Sequence, residues 1–171
     1  MEQSTSAPPR IWWARPRKLC ALERPGGGGR SHRPERREAE IEYLKQSGVR
    51  VVISLMQTRH NLGDYEKAGM AAIHLPVDQD EDGLMEVVEV LRRETRKPGV
   101  VAIHANRYTD FVAAVCAEHL RELRGTDVED SLEAAAEAGL VVTANAAALV
   151  EADPDWARGL PETPAGHPAY F

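Results

Sequence analysis

Three short runs of apolar, mostly β-branched residues alternate with stretches of helical periodicity, and this alternation is the strongest constraint on the fold. The runs are VRVVISLM at 49–56, AAIHLPV at 71–77 and GVVAIHA at 99–105. Continuous apolar strands are typical of a parallel sheet that is covered on both faces. The segment between the last two runs carries apolar residues at the i, i+3, i+4, i+7 spacing of a helix. The pattern predicts an α/β fold with a mostly parallel central sheet flanked by helices.

Weaker patterns predict the remaining elements. IWWAR at 11–15 and KLCALE at 18–23 indicate two edge strands. RPGGGGRSHRP at 24–34 is interpreted as a mobile linker, with anion binding as the minor alternative, because four glycines let an anion approach the backbone although no G-x-G-x-x-G follows a strand. Helices are expected at 35–47, 64–68, 80–97 and 143–152. A further helix carries an apolar stripe of Val112, Cys116, His119, Leu120 and Leu123. Thr126 and Glu129 have the spacing of a capping box that begins the next helix, which runs to Gly139.

Length and composition predict one domain. The 171 residues, of which 43% are hydrophobic, suffice for a single core. We expect a disordered N-terminus at 1–10, a single domain at 11–153 and a Pro-rich tail at 154–171. No apolar run approaches the roughly 20 residues that cross a bilayer, and the N-terminus lacks the apolar region of a secretory signal. Cys20 and Cys116 lie in apolar patterns, which favours reduced thiols and a cytoplasmic protein.

Charge is distributed unevenly along the chain. Residues 1–37 carry nine Arg or Lys and three acidic side chains, so the remaining residues sum to −12 within a total of −6. A basic segment can contact phosphate or nucleic acid. Aromatic and basic residues are not interleaved there as a single-stranded nucleic-acid surface requires. The sequence therefore favours a solvated basic arm over a nucleic-acid-binding protein.

Polar loops follow the carboxyl ends of the predicted strands, where open α/β sheets bind ligands. The loops are Met56–Asn61, Pro76–Asp82 and His104–Asp110. Since the ends of parallel strands meet at one edge of a sheet, we expect the three loops to face one another.

Several segments, taken in order, resemble the dual-specificity phosphatases of the cysteine-dependent protein tyrosine phosphatase superfamily. WARPRKLCALERP resembles the strand–Pro–strand opening of small members, and EYLKQSGVRVVISLM resembles their L-x-x-x-G-[IV]-x-x-V-I-S-L segment. AGMAAIHLPVDQD resembles the hydrophobic-H-x-P-x-D segment that carries the general acid. GVVAIHANRYTDFVAAVCAEHL stands where the phosphate-binding loop is expected. The resemblance covers roughly residues 11–152 and implies a protein tyrosine phosphatase-like fold.

The sequence departs from this family in the phosphate-binding loop. The family pattern is H-C-x-x-G-x-x-R, and residues 104–111 are HANRYTDF. His104 matches the His, whereas Ala105 stands in place of the nucleophilic Cys. Tyr108 replaces the Gly, and Phe111 replaces the phosphate-binding Arg.

Each replacement removes a function that the family reaction needs. The Cys thiolate attacks phosphorus to form a phosphocysteine, which a methyl group cannot do. The Arg binds phosphoryl oxygens bidentately, and the Gly lets backbone amides close around the anion. Phosphocysteine-dependent phosphatase activity is therefore not expected.

Other polar residues of these loops are candidates for a modified site. Asp78 matches the general-acid segment best, with Asp80 and Asp82 as competitors. The candidate acid/base residues are Asp78, His104 and Asp110. The candidate ligand-binding residues are His104, Asn106, Arg107, Tyr108, Thr109, Phe111 and His60. The plainer interpretation is that Thr109 or Asp110 caps the next helix. His74, His104 and Asp78 lack the paired spacing of a metal site, so neither a metal nor a cofactor is expected.

Two classes of function follow. The first is a pseudophosphatase that binds an unknown protein or a small acidic ligand through Tyr108, Phe111, His60 and the basic arm. The second is an enzyme that acts on a small phosphorylated or acidic molecule by acid/base chemistry, with His104, Asp78, Asp110 and Tyr108 as the reacting set. A nucleic-acid binder using residues 10–37 is a weaker third class, and no membrane partner is expected.

Overall fold

The computed structural model describes residues 11–107 and 109–162. The strands are β1 (Ile11–Arg15), β2 (Leu19–Glu23), β3 (Val49–Ser54), β4 (Ala71–His74) and β5 (Val100–Ala105). The helices are α1 (Pro34–Gln46), α2 (Leu62–Lys67), α3 (Glu81–Thr95), α4 (Asp110–Arg124), α5 (Val128–Glu137), α6 (Ala144–Leu149) and α7 (Pro154–Ala157). A short 3-10 turn occupies Gly29–Ser31. The predictions for residues 1–10, for Tyr108 and for the part of the tail at 163–171 lie outside the described residues.

The five strands form one mixed sheet in the order β1-β2-β5-β3-β4. β1 is antiparallel to β2, and the β2–β5, β5–β3 and β3–β4 pairs are parallel. Val51, Val52 and Ile53 in the centre of β3 are at most 1% exposed. Both faces of this strand are therefore covered, which explains its unbroken apolar sequence. The predicted α/β fold with a mostly parallel sheet is confirmed.

Contacts divide the chain into two compact units. Among the described residues, one unit comprises 11–76 and 95–107, and the other comprises 77–94 and 109–162. In the first unit, α1 packs on β3 and α2 packs on β4. In the second, α4 packs against α5 and α6, and every residue of α4 from Phe111 to Leu120 is buried. Among the described residues, no helix combines the length and apolar composition that a membrane crossing requires.

The glycine-rich segment is an ordered loop, which corrects its interpretation as a mobile linker. We define the glycine loop as residues 25–31, of which residues 25–28 are buried. Gly26 and Gly27 have φ values of 94° and 93°, a left-handed backbone that favours glycine. The Gly26 N–H donates to Oε1 of the buried Glu40 (2.8 Å), and the Gly27 N–H donates to the Arg24 carbonyl (2.8 Å). These bonds fix the loop against α1 and the end of β2.

The end of the chain also differs from its prediction. The N-cap of α5 is Asp127 rather than Thr126, and Glu129 accepts a hydrogen bond from the Asp153 N–H (2.9 Å) instead of closing a capping box. Leu123 is 51% exposed and lies outside the apolar stripe of α4. The last predicted helix, 143–152, is shorter in the structure: α6 ends at Leu149, and Glu151 has a left-handed φ of 58°. The first four residues of the predicted tail, Pro154–Ala157, form a separate helix, α7.

Replacing Gly28 by Ala tests whether the glycine loop packs as described. A Cβ atom on Gly28 would lie 2.3 Å from the Asn106 carbonyl oxygen, although its φ of −89° suits alanine. We expect Gly28→Ala to lower the unfolding free energy by about 1–3 kcal/mol, measured by urea denaturation. Gly63→Ala is the matched control, since nothing lies within 4 Å of its Cβ position. Equal stability of the two variants would contradict the close packing.

Candidate functional site

The carboxyl ends of four strands meet at one edge of the sheet. Ser54 at the end of β3 is level with His104 in β5 and with His74 in β4, and Leu22 in β2 is also level with His104. The Leu55 N–H donates to the His104 carbonyl (2.8 Å), which joins the chain leaving β3 to the end of β5. His104 therefore lies in the middle of the edge at which such sheets bind ligands.

His104 is fully buried, and both of its ring nitrogens are hydrogen-bonded. Nδ1 donates to the Ala105 carbonyl (2.9 Å), so Nε2 accepts from the Tyr65 hydroxyl (2.7 Å). The Tyr65 and His104 rings pack edge to face with centroids 5.8 Å apart. Burial lowers the pKa of His104 to about 4, so the imidazole is neutral at physiological pH.

Tyr65 extends this contact into a buried hydrogen-bond chain that sequence reasoning missed. Its hydroxyl accepts from Nδ2 of Asn61 (3.3 Å), which also donates to the Pro25 carbonyl (3.0 Å). Oδ1 of Asn61 accepts from Nε (3.1 Å) and Nη2 (3.0 Å) of Arg24. Burial raises the pKa of Tyr65, so its phenol stays neutral. Burial also lowers the pKa of Arg24 from its usual high value. The chain joins the residue after β2 to the start of α2 and the end of β5.

Ala105 ends β5 and presents only a methyl group. It is 4% exposed and is level with Glu23 of β2. Cys20 and Cys116 form no disulfide, and both are fully buried. Burial raises the pKa of Cys116 to about 12, so no thiolate forms there at physiological pH. Neither thiol replaces a nucleophile at position 105.

Asn106 and Arg107 leave β5 beside the glycine loop. The Asn106 carbonyl meets the backbone of Gly28 so closely that only glycine fits there. Nη2 of Arg107 lies 3.2 Å from the position of a Cβ atom on Gly29. Arg107 is half-buried and borders the glycine loop rather than extending fully into solvent.

In the second unit, Thr109 and Asp110 begin α4. Thr109 is the N-cap, and its Oγ1 accepts from the Val112 N–H (3.4 Å), as predicted. Asp110 accepts from the Thr143 hydroxyl (2.5 Å) and from Nδ2 of Asn145 (3.3 Å). Its carboxylate thus lies at the positive end of the α4 dipole and joins α4 to the start of α6.

Phe111 is a core residue of the second unit. Its side chain is 1% exposed, whereas a ligand-binding residue must reach its ligand. Its ring adds apolar area to that core. As placed, Phe111 presents no appreciable surface to a ligand.

The acidic residues before α3 serve the start of that helix. Oδ1 of Asp80 accepts from the Gly83 N–H (2.8 Å), which caps α3. A Cβ atom on Gly83 would lie 1.8 Å from the Asp78 carbonyl oxygen, so this backbone is tightly packed. The side chain of Asp78 itself is exposed.

His60 and His74, the other histidines near these loops, belong to no group of potential metal ligands among the described residues. His60 is exposed, and Nε2 of His74 donates to the Met56 carbonyl (2.8 Å). Among residues 11–107 and 109–162, no three His, Cys, Asp or Glu side chains are grouped to hold a metal ion.

The neutral state of His104 predicts a pH dependence of stability. Below pH 6.5 the unfolded chain binds a proton at this residue, whereas the folded chain binds it only near pH 4. The contribution of His104 to the free energy of unfolding is therefore complete above pH 6.5, and roughly 3 kcal/mol of it is lost as the pH falls to 4.

Nitrogen-15 NMR measures this directly. We expect the folded protein to keep a neutral Nδ1–H tautomer of His104 down to about pH 5, while the urea-unfolded chain titrates near the ordinary pKa of histidine. A folded-state pKa of His104 near its ordinary value would contradict the buried arrangement.

Comparison with known proteins relates this arrangement to phosphatases. No protein-family model matches the sequence, and no curated protein sequence matches it. Solved structures do match. The structure of Tk-PTP in its active form has a TM-score of 0.65 and 16% identity, covering 89% of this chain and 99% of that one.

Two further structures have the same fold. Human DUSP28 matches with a TM-score of 0.58 and 18% identity, covering 90% of this chain and 91% of its own. TpbA of P. aeruginosa matches with a TM-score of 0.61 and 20% identity, covering 82% and 84%. The chain therefore has the fold of the dual-specificity and protein tyrosine phosphatases.

Proposed function

We propose that this chain is a pseudophosphatase, a phosphatase-fold protein that binds a phosphorylated or acidic partner without hydrolysing it. The observation that carries the proposal is the pair of side chains at the two ends of loop 104–111. A methyl group, Ala105, ends β5, and a 1% exposed ring, Phe111, lies in the first turn of α4. The sequence resemblance assigns these positions to the thiolate and the guanidinium of the family reaction.

The charge at the start of α4 supports the same proposal. In a catalytic loop, this helix end and the loop amides attract a phosphate dianion. Here the carboxylate of Asp110 lies at the helix end and is held by Thr143 and Asn145. A dianion approaching this end meets a like charge, which disfavours binding in the family position.

The acid/base alternative has weaker support. His104 is buried and neutral with both nitrogens bonded, so it has no access to a substrate proton. Asp110 is occupied by its two hydrogen bonds. The side chain of Asp78 is exposed to water, whereas a general acid is held within hydrogen-bond reach of the reacting group.

Binding without turnover has a parallel among the structural neighbours. A cysteine-to-serine form of P. aeruginosa TpbA, with a TM-score of 0.60, is described in complex with phosphotyrosine. That protein therefore binds phosphotyrosine with a serine in place of a cysteine.

Two further parts of the proposal are a single domain over residues 11–153 and a cytoplasmic location. Two buried cysteines without a disulfide support the reducing compartment that this location provides.

Hydrolysis of p-nitrophenyl phosphate tests the proposal. Without a nucleophile at position 105 or a guanidinium at position 111, we expect no rate above the buffer background from acidic to neutral pH. Asp78→Asn should leave that background unchanged, as should the control Asp130→Asn on the exposed face of α5. Turnover by the wild-type chain that Asp78→Asn abolishes and Asp130→Asn preserves would reject the pseudophosphatase and establish an acid/base enzyme.

A further inference from the structure

Basic side chains crowd the amino edge of the sheet, opposite the edge that holds His104. Leu19, Val49 and Val100 begin β2, β3 and β5 at this edge, and the antiparallel β1 ends level with Leu19. The segments that form the edge, residues 15–18, 45–50 and 95–99, carry seven basic side chains and no acidic one. We call these seven residues the basic edge: Arg15, Arg17, Lys18, Lys45, Arg50, Arg96 and Lys97.

The carboxylates next to these segments do not cancel this charge. Three of them adjoin the basic edge along the chain: Glu42, Glu66 and Glu94. Glu94 pairs with Arg93 (3.0 Å), and Glu66 is followed by Lys67. Even when all three carboxylates are subtracted from the seven cations, four positive charges remain in excess. The unit that contains the basic edge, residues 11–76 and 95–107, has 15 Arg or Lys against seven acidic residues.

Hydrogen bonds order the centre of the basic edge. Nζ of Lys18 donates to the Lys97 carbonyl (2.5 Å). Nε of Arg50 donates to the neighbouring Pro98 carbonyl (2.8 Å). Burial, together with the charges of Arg15 and Arg50, lowers the pKa of Lys18, so like charges lie within interaction distance here. A surface of opposite charge that covers this edge relieves their repulsion.

The second unit carries the opposite charge. Its residues, 77–94 and 109–162, include 19 acidic side chains and five Arg or Lys. Residues 127–137, which contain α5, have five acidic side chains and no basic one. Three of these are exposed and follow one another at helical spacing, so they share one side of α5, which we call the acidic face: Asp130, Glu133 and Glu137.

The acidic face has no partner within the described part of the chain. The ion pairs of residues 11–107 and 109–162 include none of its three carboxylates. Like charges three or four residues apart destabilise a helix, and Glu137 lies at the negative end of the α5 dipole. A cationic surface laid on this face removes both penalties.

We propose that the basic edge is an interface for a second copy of this chain, which places the acidic face of its α5 on it. The inference goes beyond the proposed function, because neither surface includes residues of loop 104–111. The two surfaces differ, so the contact is heterologous and joins copies head to tail. At about 0.1 M salt, charges more than roughly 10 Å apart are screened, so the facing surfaces outweigh the net charge of −6 on each copy.

A second copy fits the basic edge better than a nucleic acid does. Each copy supplies the complementary surface at the same concentration as the basic edge itself. A nucleic acid that extends beyond the basic edge meets the acidic second unit, where its phosphates are repelled.

Sedimentation velocity tests the interface. At about 50 mM NaCl, we expect the weight-average mass to rise above that of one chain as the protein concentration increases. At about 500 mM NaCl, the mass should return to that of one chain, because salt screens the attraction between the two surfaces.

Charge reversal identifies the two surfaces. Arg17→Glu/Arg96→Glu reverses two exposed charges of the basic edge, and Glu133→Lys/Glu137→Lys reverses two of the acidic face. We expect each double variant alone to self-associate about tenfold or more weakly than the wild type. An equimolar mixture of the two should associate again, because the first variant keeps a wild-type acidic face and the second keeps a wild-type basic edge.

The control variant is Arg30→Glu/Arg59→Glu. It makes the same change of net charge at exposed arginines in the loops that follow β2 and β3, so its association should stay within about twofold of the wild type. Thermal melting accompanies each variant. Lys45→Glu/Arg96→Glu replaces the first variant if Arg17→Glu, at a φ of 60°, lowers the melting temperature.

Several results would overturn the interface. These are a wild-type chain that stays monomeric at low salt, unchanged association in Arg17→Glu/Arg96→Glu, an equal loss in the control variant, or a mixture of the two variants that stays monomeric. Single-stranded RNA that binds the wild-type chain but not Arg17→Glu/Arg96→Glu would assign the basic edge to nucleic acid instead. Self-association is measured without substrate, so hydrolysis of p-nitrophenyl phosphate bears on the proposed function alone.

Discussion

The buried hydrogen-bond chain from Arg24 through Asn61 and Tyr65 to His104 is the constraint on which the carboxyl edge of the sheet depends. It runs in one direction, from the guanidinium donors to the Ala105 carbonyl, with a neutral imidazole as its last link. Each buried polar group in it finds a partner, so the end of β5 stays fixed without a ligand. Removing any link would leave a buried donor or acceptor unsatisfied, which is more unfavourable than the modest net gain from making the bond. The carboxyl edge of this phosphatase-like fold is therefore held by the protein's own side chains.

Within each unit, the described residues of segment 104–111 have partners in the protein. Asp110 bonds to Thr143 and Asn145, and Phe111 contributes to the core of the second unit. On the first unit, Asn106 packs against Gly28 and Arg107 borders the glycine loop. A catalytic loop keeps its amides and its arginine for the substrate, whereas the side chains of Thr109, Asp110 and Phe111 make contacts within the fold here. In the proposed pseudophosphatase, these side chains contact other parts of the protein instead of a substrate.

Local sequence patterns were sufficient for most of the fold and for little of the site. The β-branched runs at 49–56 and 99–105 predicted β3 and β5 because burial on both faces requires unbroken apolar strands. The prediction of a mobile glycine segment was wrong, because the order of this loop depends on Glu40 of α1 and on Asn106. Asn106 contacts Gly28 from 78 residues further along the chain. Arg24, Asn61 and Tyr65 likewise come together only in the folded sheet, and no local spacing marks them. The resemblance located loop 104–111, but it could not show that the ring of Phe111 lies in the core.

A crystal structure of the chain soaked in orthovanadate would test the central claim most directly, because vanadate mimics the phosphoryl group in transfer. The account predicts no oxyanion held by the backbone amides that follow His104, with Asp110 still bonded to Thr143 and the ring of Phe111 still buried. A vanadate ion enclosed by the amides of residues 106–111, with Phe111 displaced from the core, would contradict it.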